Sequence, residues 1–348
     1  MKKELGLFVL LMVLCLTVVG VEIGQQLSEG TSISQLRLPR FLTTANLSNL
    51  ATSIGLFGVF SIGLGMVIIT GGIDLSVGST FALCGVLLSI ALMEWNWAWP
   101  LAALFVVALP MVMGWAHGTL ITRARIQPFI VTLCALLIYR GLARYTADEN
   151  TKGFGSSEGF GTLKFLASGR LFQKFDPTTG KEIFVGIPMP FVILILTAIV
   201  MWFVLHRSVY GRYLLAVGRN EEATRFSGIN TRLVITSSYV LAGMLTGISG
   251  ILFAFYTNSV APSGHGNFYE AYGIAAAVLG GCSLRGGEGS VIGILIGTAL
   301  LQVLQNLVNL LGIKSSLNFT VMGTVVLLGV LADQYFQRRA EKKLARLG

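Results

Sequence analysis

Charge is scarce in this sequence. Charged side chains make up 12% of its 348 residues, with 16 acids against 25 bases, whereas a soluble domain carries about 25%. A chain this poor in ions cannot coat a water-exposed surface. Histidine is rarer still: His117, His206 and His265 stand far apart near the ends of apolar runs, where interfacial or capping positions account for them. The four cysteines, Cys15, Cys84, Cys134 and Cys282, lack metal-ligand spacing and read as small packing residues rather than disulfides. No G-x-x-x-x-G-K-[ST], H-E-x-x-H or G-x-S-x-G is present, so a nucleotide site, a zinc hydrolase and a serine hydrolase are not expected. Neither is a cofactor or a metal. The apolar runs hold almost no acids in series, which argues against a proton relay and an ion-coupled carrier. The net charge of +9 does not point to nucleic acid, because the bases fall between and after apolar runs, where they orient helices in a bilayer.

Hydrophobic residues make up 54% of the chain and the mean hydropathy is +0.75, which predicts an all-α polytopic membrane protein. Ten apolar runs are expected as transmembrane helices: about Leu5 to Val21, Leu47 to Thr70, Leu75 to Met93, Trp97 to Leu120, Pro128 to Tyr145, Pro188 to His206, Leu233 to Tyr256, Phe268 to Cys282, Val291 to Leu311 and Leu317 to Tyr335. The first follows Lys2 and Lys3 like a signal peptide, but Glu22, Gln25 and Gln26 stand where a cleavage site belongs, so it reads as a retained helix. With both termini in the cytoplasm, the short inner segments hold 15 of the 25 basic residues and the short outer ones three, as the positive-inside rule requires. The chain then reads as one permease-like domain over 1–348, with an outer loop at about 147–187 and an inner loop at about 207–231. Trp95, Trp97 and Trp99 suit an interfacial belt at the outer end.

Two polar interruptions carry the chemistry. The first, Thr70 to Ser79, contains Gly71, Gly72, Asp74, Ser76 and Gly78 between two apolar runs. Its glycines can end one helix, and Asp74 or Ser76 can accept from the free N–H groups of the next. A capped surface turn and a broken helix beside a translocation path both fit, since irregular backbone at membrane depth survives only against protein or water. Gly280 to Ser290 echoes it, with Gly280-Gly281 matched to Gly71-Gly72 and a shared Gly-Ser end. The second interruption is the inner loop, with Gly218, Arg219, Asn220, Glu221, Ala223, Ser227 and Gly228. Asn220 is a good N-cap for a short helix through Phe226, Glu221 and Glu222 favour its positive end, and Gly228 can stop it. A capped helix exposed at the membrane surface is expected to dock a partner.

Gly71-Gly72-Ile73-Asp74-Leu75-Ser76-Val77-Gly78-Ser79, Pro128-Phe129-Ile130-Val131-Thr132-Leu133 with Tyr139-Arg140-Gly141-Leu142, Gly218-Arg219-Asn220 with Ser227-Gly228-Ile229, and Val278-Leu279-Gly280-Gly281 with Gly286-Gly287 and Gly289-Ser290 follow one another in order. Together they resemble the permease subunit of bacterial ATP-binding-cassette (ABC) importers for ribose and related monosaccharides, from about Asn46 to Asp333. The resemblance implies a type II importer-like fold and a non-catalytic subunit in the bacterial inner membrane. It implies as partners a separate cytoplasmic ATPase, a periplasmic sugar-binding protein and a second permease subunit, identical or paralogous. The Asp74 break would then lie near the pathway and the Asn220 to Gly228 segment against the ATPase. The same architecture serves other solutes, including autoinducer-2, nucleosides and branched-chain amino acids, and the sequence leaves these open.

Overall fold

The computed structural model describes residues 2–28, 30, 37–155, 159–175, 182–314, 317, 319–324, 327 and 331. Its helices are α1 (Lys2–Ser28), α2 (Thr44–Ile69), α3 (Val77–Ser89, prolonged by a π turn Ile90–Glu94), α4 (Trp99–Thr122), α5 (Pro128–Thr146), α6 (Gly161–Ser168), α7 (Met189–His206), α8 (Val209–Arg219), α9 (Glu221–Phe226), α10 (Thr231–Thr257), α11 (Tyr269–Leu279) and α12 (Val291–Leu310). Among the described residues eight are long and apolar enough to cross a membrane: α1, α2, α3 with its π turn, α4, α5, α7, α10 and α12.

The run expected from Phe268 to Cys282 does not form a full span. It contains α11, whose 11 residues reach only about 16 Å at 1.5 Å per residue, roughly half the hydrocarbon thickness. Gly264 to Phe268 before it turns repeatedly, with Gly266 and Phe268 both at positive φ. The run from Leu317 to Tyr335 lies mostly outside the described residues. The first helix extends past its expected end at Val21 because Glu22 is buried and accepts the Phe41 N–H at 2.9 Å, so the acid in this apolar run is a structural bond.

The packing follows the glycines. α2 and α3 are buried along most of their length, and α10 on most of its faces, whereas α1, α4, α5 and α7 are peripheral. A Cβ at Gly243 of α10 would strike the Pro110 carbonyl of α4, and one at Gly247 would strike Val107. In return Gly114 and Gly118 of α4 lie on the backbone at Tyr239 and Thr236. Small residues four apart on both helices let the backbones touch, which is how helices associate in lipid without a hydrophobic driving force. Gly293 and Gly297 seat α12 on Gly280 and Ala276 of α11 in the same way. Asn46 of α2 and Asn306 of α12 exchange side-chain amide bonds at 3.1 and 2.8 Å, a polar tie between spans.

At one end of the bundle the loop between α5 and α7 is a packed element. β1 (Lys152–Gly153) pairs with β6 (Ser259–Val260), β2 (Arg170–Leu171) pairs with β5 (Ile187–Pro188), and β3 (Lys174–Phe175) pairs with β4 (Glu182–Phe184), all antiparallel. Phe154 is fully buried and stacks on Phe255 at 4.3 Å, Ser89 donates to the Gly153 carbonyl, and Lys152 pairs with Glu94 at 2.7 Å. Trp95, Trp97 and Trp99 lie at this end, and the exposed Trp95 ring packs on Trp97. The turn expected at 176–181 lies outside the described residues.

Overpacking the α4–α10 contact tests this arrangement. Gly243→Val must displace a backbone carbonyl and is expected to cost about 1–3 kcal/mol or more, whereas Gly20→Val in α1 meets open space. Thermal unfolding in detergent should show a lowered midpoint for the first variant and an unchanged one for the second.

Candidate functional site

At the first interruption α2 stops in a glycine cap. Gly71 has φ of +83° and its N–H reaches the Ile68 carbonyl at 2.8 Å, while the Gly72 N–H reaches Val67 at 3.1 Å. This double bond pattern satisfies the last carbonyls of the helix and needs a residue free to adopt the left-handed region. α11 ends identically: Gly281 has φ of +88°, its N–H reaches Val278, and the Cys282 N–H reaches Ala277, both at 2.9 Å. The echo is therefore real, with a corrected register, because Gly281 and not Gly280 is the counterpart of Gly71. The Gly-Ser ends are not equivalent. Ser290 caps α12 by accepting the Gly293 N–H, whereas Ser79 lies inside α3 and donates to the Ser76 carbonyl.

Beyond Gly72 the chain turns into the protein. The Ile73 carbonyl accepts from the Tyr239 hydroxyl at 3.3 Å and from Thr132 at 3.2 Å, and Tyr239 sits about 12 Å along α10 from its start. Gly72 is buried against that hydroxyl. Asp74 is 6% exposed, and its Oδ1 accepts both the Ser76 N–H at 2.8 Å and the Ser76 hydroxyl at 2.6 Å. These bonds form a local turn that delivers the chain into α3. Gly78 in the first turn of α3 touches the Gly266 carbonyl and lies beside the Glu270 carboxylate. The N-termini of α3 and the short α11 thus meet inside the bundle, and rings of Phe60, Phe81, Phe253 and Tyr269 lock them together at 4.9–6.5 Å. Positive helix ends placed there favour the two carboxylates.

The inner loop forms as its caps require. Ser208 accepts the Gly211 N–H to start α8, Asn220 accepts the Ala223 N–H at 2.9 Å to start α9, and Gly228 at φ of +85° ends it. Glu221 accepts from Thr231 at 3.2 Å, and the Ser227 hydroxyl donates to the Ala223 carbonyl. α8 is anchored through Tyr210, whose hydroxyl accepts from Ser237 of α10 at 2.9 Å. Burial pushes that phenol above its ordinary pKa, and the Ser237 bond offsets part of the shift. Along α9 only Thr224 is buried, and Phe226 is 79% exposed.

The structure brings the two sets of residues together at Gly218. This last-turn glycine of α8 lies against the Ile69 carbonyl at the end of α2 and the Gly287 N–H of the 280–290 segment, and that N–H donates to the Ile69 carbonyl at 2.8 Å. Gly286 is wedged between Gly218 and the Gly71 N–H, and Arg219 covers Gly287. Asp74, Ser76 and Gly78 lie deeper and are buried, while Asn220, Glu221, Ala223, Ser227 and Gly228 are exposed on the far side of the junction.

Several polar residues take places that their sequence positions did not assign them. His117 and His265, expected near interfaces, are buried at 4% and 9% exposure, because His117 meets the Tyr139 hydroxyl at 2.9 Å and the His265 carbonyl is held by Arg140. His206 does lie exposed at a helix end, beside Trp202. Arg140 of α5 donates to the carbonyls of Pro262 and His265 at 3.0 and 2.8 Å and lies within electrostatic reach of Glu270. An arginine within an apolar run is expensive in a membrane and marks a partnered position. That signal was legible at Tyr139-Arg140-Gly141.

If Asp74 acts by accepting its two bonds, Asp74→Ala should lower stability by about 1–3 kcal/mol, and Asp74→Asn, which keeps an acceptor oxygen, should remain near wild type. Thermal unfolding of the purified protein decides this. Equal damage in both variants would assign the role to the charge.

The sequence profile of the family described as branched-chain amino acid transport system / permease component matches residues 46–331. The ribose import permease of Bacillus subtilis is 37% identical over 85% of this chain and 87% of its own length. The fructose import permease of Rhizobium meliloti is 28% identical over 86% and 81%, and the L-arabinose ABC transporter permease of Azospirillum brasilense is 32% identical over 88% and 86%. No solved structure matches. A profile spanning every helix from α2 to α12, with relatives that align over most of their own length, places the chain in this family of transport-system permeases, beside the ribose import permeases.

Proposed function

We propose that the chain is the membrane-spanning subunit of an ABC importer for a monosaccharide, with ATP hydrolysis on a separate polypeptide. The observation that carries the reading is the junction at Gly218. An exposed helix pair is held by backbone contact against the end of α2 and the 280–290 segment, so a push on α9 is delivered to both helix breaks without an intervening side chain. The sequence has no nucleotide-binding motif, so the energy for transport enters from a partner, and α9 offers a surface for one. Ala223, Phe226, Ser227 and Gly228 form its contact, while Gly218, Arg219, Asn220 and Glu221 shape and transmit it. The α8–α9 end is then cytoplasmic, with both termini on that side. The opposite end faces a periplasmic binding protein that delivers the sugar, and a second permease subunit completes the pathway.

The buried interruption at Gly71, Gly72, Asp74, Ser76 and Gly78 acts here as the inner hinge of the pathway. It sets where α3 begins and moves with the junction. The sugar class rests on the names of the relatives, which are ribose, fructose and L-arabinose permeases. The description of the family profile favours a second reading, import of a branched-chain amino acid. Uptake of labelled ribose, arabinose, fructose and leucine by cells carrying the complete transporter separates the two: a sugar is expected to accumulate, and uptake of leucine alone would overturn the proposal.

Docking has its own test. Phe226→Ala and Ala223→Glu alter exposed positions and should leave the helices folded. Each is expected to reduce co-purification of the ATPase about tenfold or more and to stop uptake, Phe226→Ala by removing an aromatic anchor and Ala223→Glu by placing a charge in a partner groove. Wild-type stoichiometry with normal uptake would make the segment a connector.

A further inference from the structure

At the end of the bundle opposite α8–α9, the exposed face of α5 opens into a cavity of about 560 Å³ lined by Gly141, Arg144, Tyr145, Asp148 and Glu149. Its size falls within the ~300–1,000 Å³ of small-molecule sites. Arg144 and Glu149 form a two-pronged pair across it, Nε to Oε2 and Nη2 to Oε1, both at 2.9 Å. The pairing fixes the planes of both groups. It leaves the third guanidinium nitrogen and the outer lone pairs of the carboxylate available side by side. The Asp148 carboxylate has no hydrogen-bond partner among the described residues, and the Tyr145 ring, 80% exposed, stands beside it with one face free.

The backbone is bent to create this arrangement. Asp148 and Glu149 follow each other at φ of +49° and +60°, a left-handed pair that residues with a Cβ avoid. The Asp148 and Glu149 N–H groups hold it by donating to Tyr145 and Arg144 at 3.2 and 3.0 Å. Without that double reversal the two acids would not turn back over α5. The floor is Gly141, where no atom approaches an added Cβ. One turn deeper on α5 stands Arg140, which is partly buried and holds the Pro262 and His265 carbonyls.

From this geometry we propose that the cavity is a monosaccharide site of the permease itself, occupied by the sugar when it leaves the binding protein. The inference rests on the importer reading above and adds a contact point to it. Fixed acceptors and donors on one wall match the alternating hydroxyls of a neutral polyol, and an aromatic face beside them suits the apolar C–H side of a sugar ring. One guanidinium against two carboxylates leaves the wall net negative, which disfavours anionic solutes. Asp148 and Glu149 accept from neighbouring hydroxyls, Arg144 donates to a ring or hydroxyl oxygen, and Tyr145 stacks. From there the next polar group on the same face is Arg140, so the sugar meets a second guanidinium one turn further in.

The test uses the full-length chain in lipid nanodiscs without partners, probed by saturation-transfer NMR with D-ribose, L-arabinose and D-fructose, each alone. Transfer to at least one of these sugars is expected in the wild type. Asp148→Asn and Tyr145→Ala should weaken it about tenfold, with thermal unfolding unchanged because both side chains are exposed. Phe226→Ala at the opposite end should leave the signal intact. In whole cells with the complete transporter, Asp148→Asn should raise the half-saturating sugar concentration for uptake by a similar factor. No transfer to the wild type, in cells that do import the sugar, overturns the site and leaves the importer reading standing. Failure of the same cells to import any of the three sugars removes both. Variants that keep the NMR signal but no longer retain the binding protein would reassign the cavity to a protein contact and overturn the proposal.

Discussion

The structure depends on one backbone hydrogen bond between two interrupted helices, from the Gly287 N–H to the Ile69 carbonyl. A helix that stops within or at the edge of a bilayer leaves carbonyls that water cannot reach, and each unsatisfied group costs several kcal/mol. Here the end of α2 is completed by its own glycine cap and by the 280–290 segment, which is itself shaped by Gly286 and Gly287 at positive φ. The two loops can approach only because Gly218, Gly286 and Gly287 have no side chains between them. A single methyl at any of these three would separate elements that now share bonds.

Much of this was legible in the sequence, for reasons that can be traced to particular residues. Asn220 and Gly228 delimit α9 because capping is local, decided within four residues. Gly243 and Gly247, and Gly293 and Gly297, mark helix contacts because spacing by four places both on one face. The shortness of α11 was not legible. Phe268 to Cys282 is apolar enough to read as a span, and only the turns from Gly264 to Phe268, set by contact with Gly78, show that the helix begins part-way across. The register of the Gly-Gly echo was hidden for a related reason. Whether the first or second glycine takes the left-handed position depends on where the preceding helix ends, and α2 closes on Thr70 whereas α11 closes on Gly280, the first glycine of its own pair.

The buried polar residues show a similar division. Asp74 stood out in the sequence because it was the one acid of its region, and its role as acceptor for Ser76 follows from a two-residue spacing. His117, Tyr139, Arg140 and Glu270 come from three different helices, and nothing in one-dimensional spacing brings them together. Their partners are mostly backbone carbonyls and hydroxyls of neighbouring elements, which shows why polar groups in a membrane interior leave so faint a pattern. The chain meets their cost with whatever backbone lies opposite.

α10 runs unbroken from Thr231 to Thr257, 27 residues, or about 40 Å. One end follows directly on α9 and the other leads into β6, which is paired with the strand beside Phe154. It is therefore a stiff strut joining the two faces of the bundle, seated on α4 through glycines that offer little resistance to sliding. Tilting such a strut by about 5° about its middle carries each tip roughly 2 Å in opposite directions, given that length. That displacement is a large fraction of a side-chain diameter, so the two mouths of the subunit need not signal through a chain of contacts. They are the two ends of one lever.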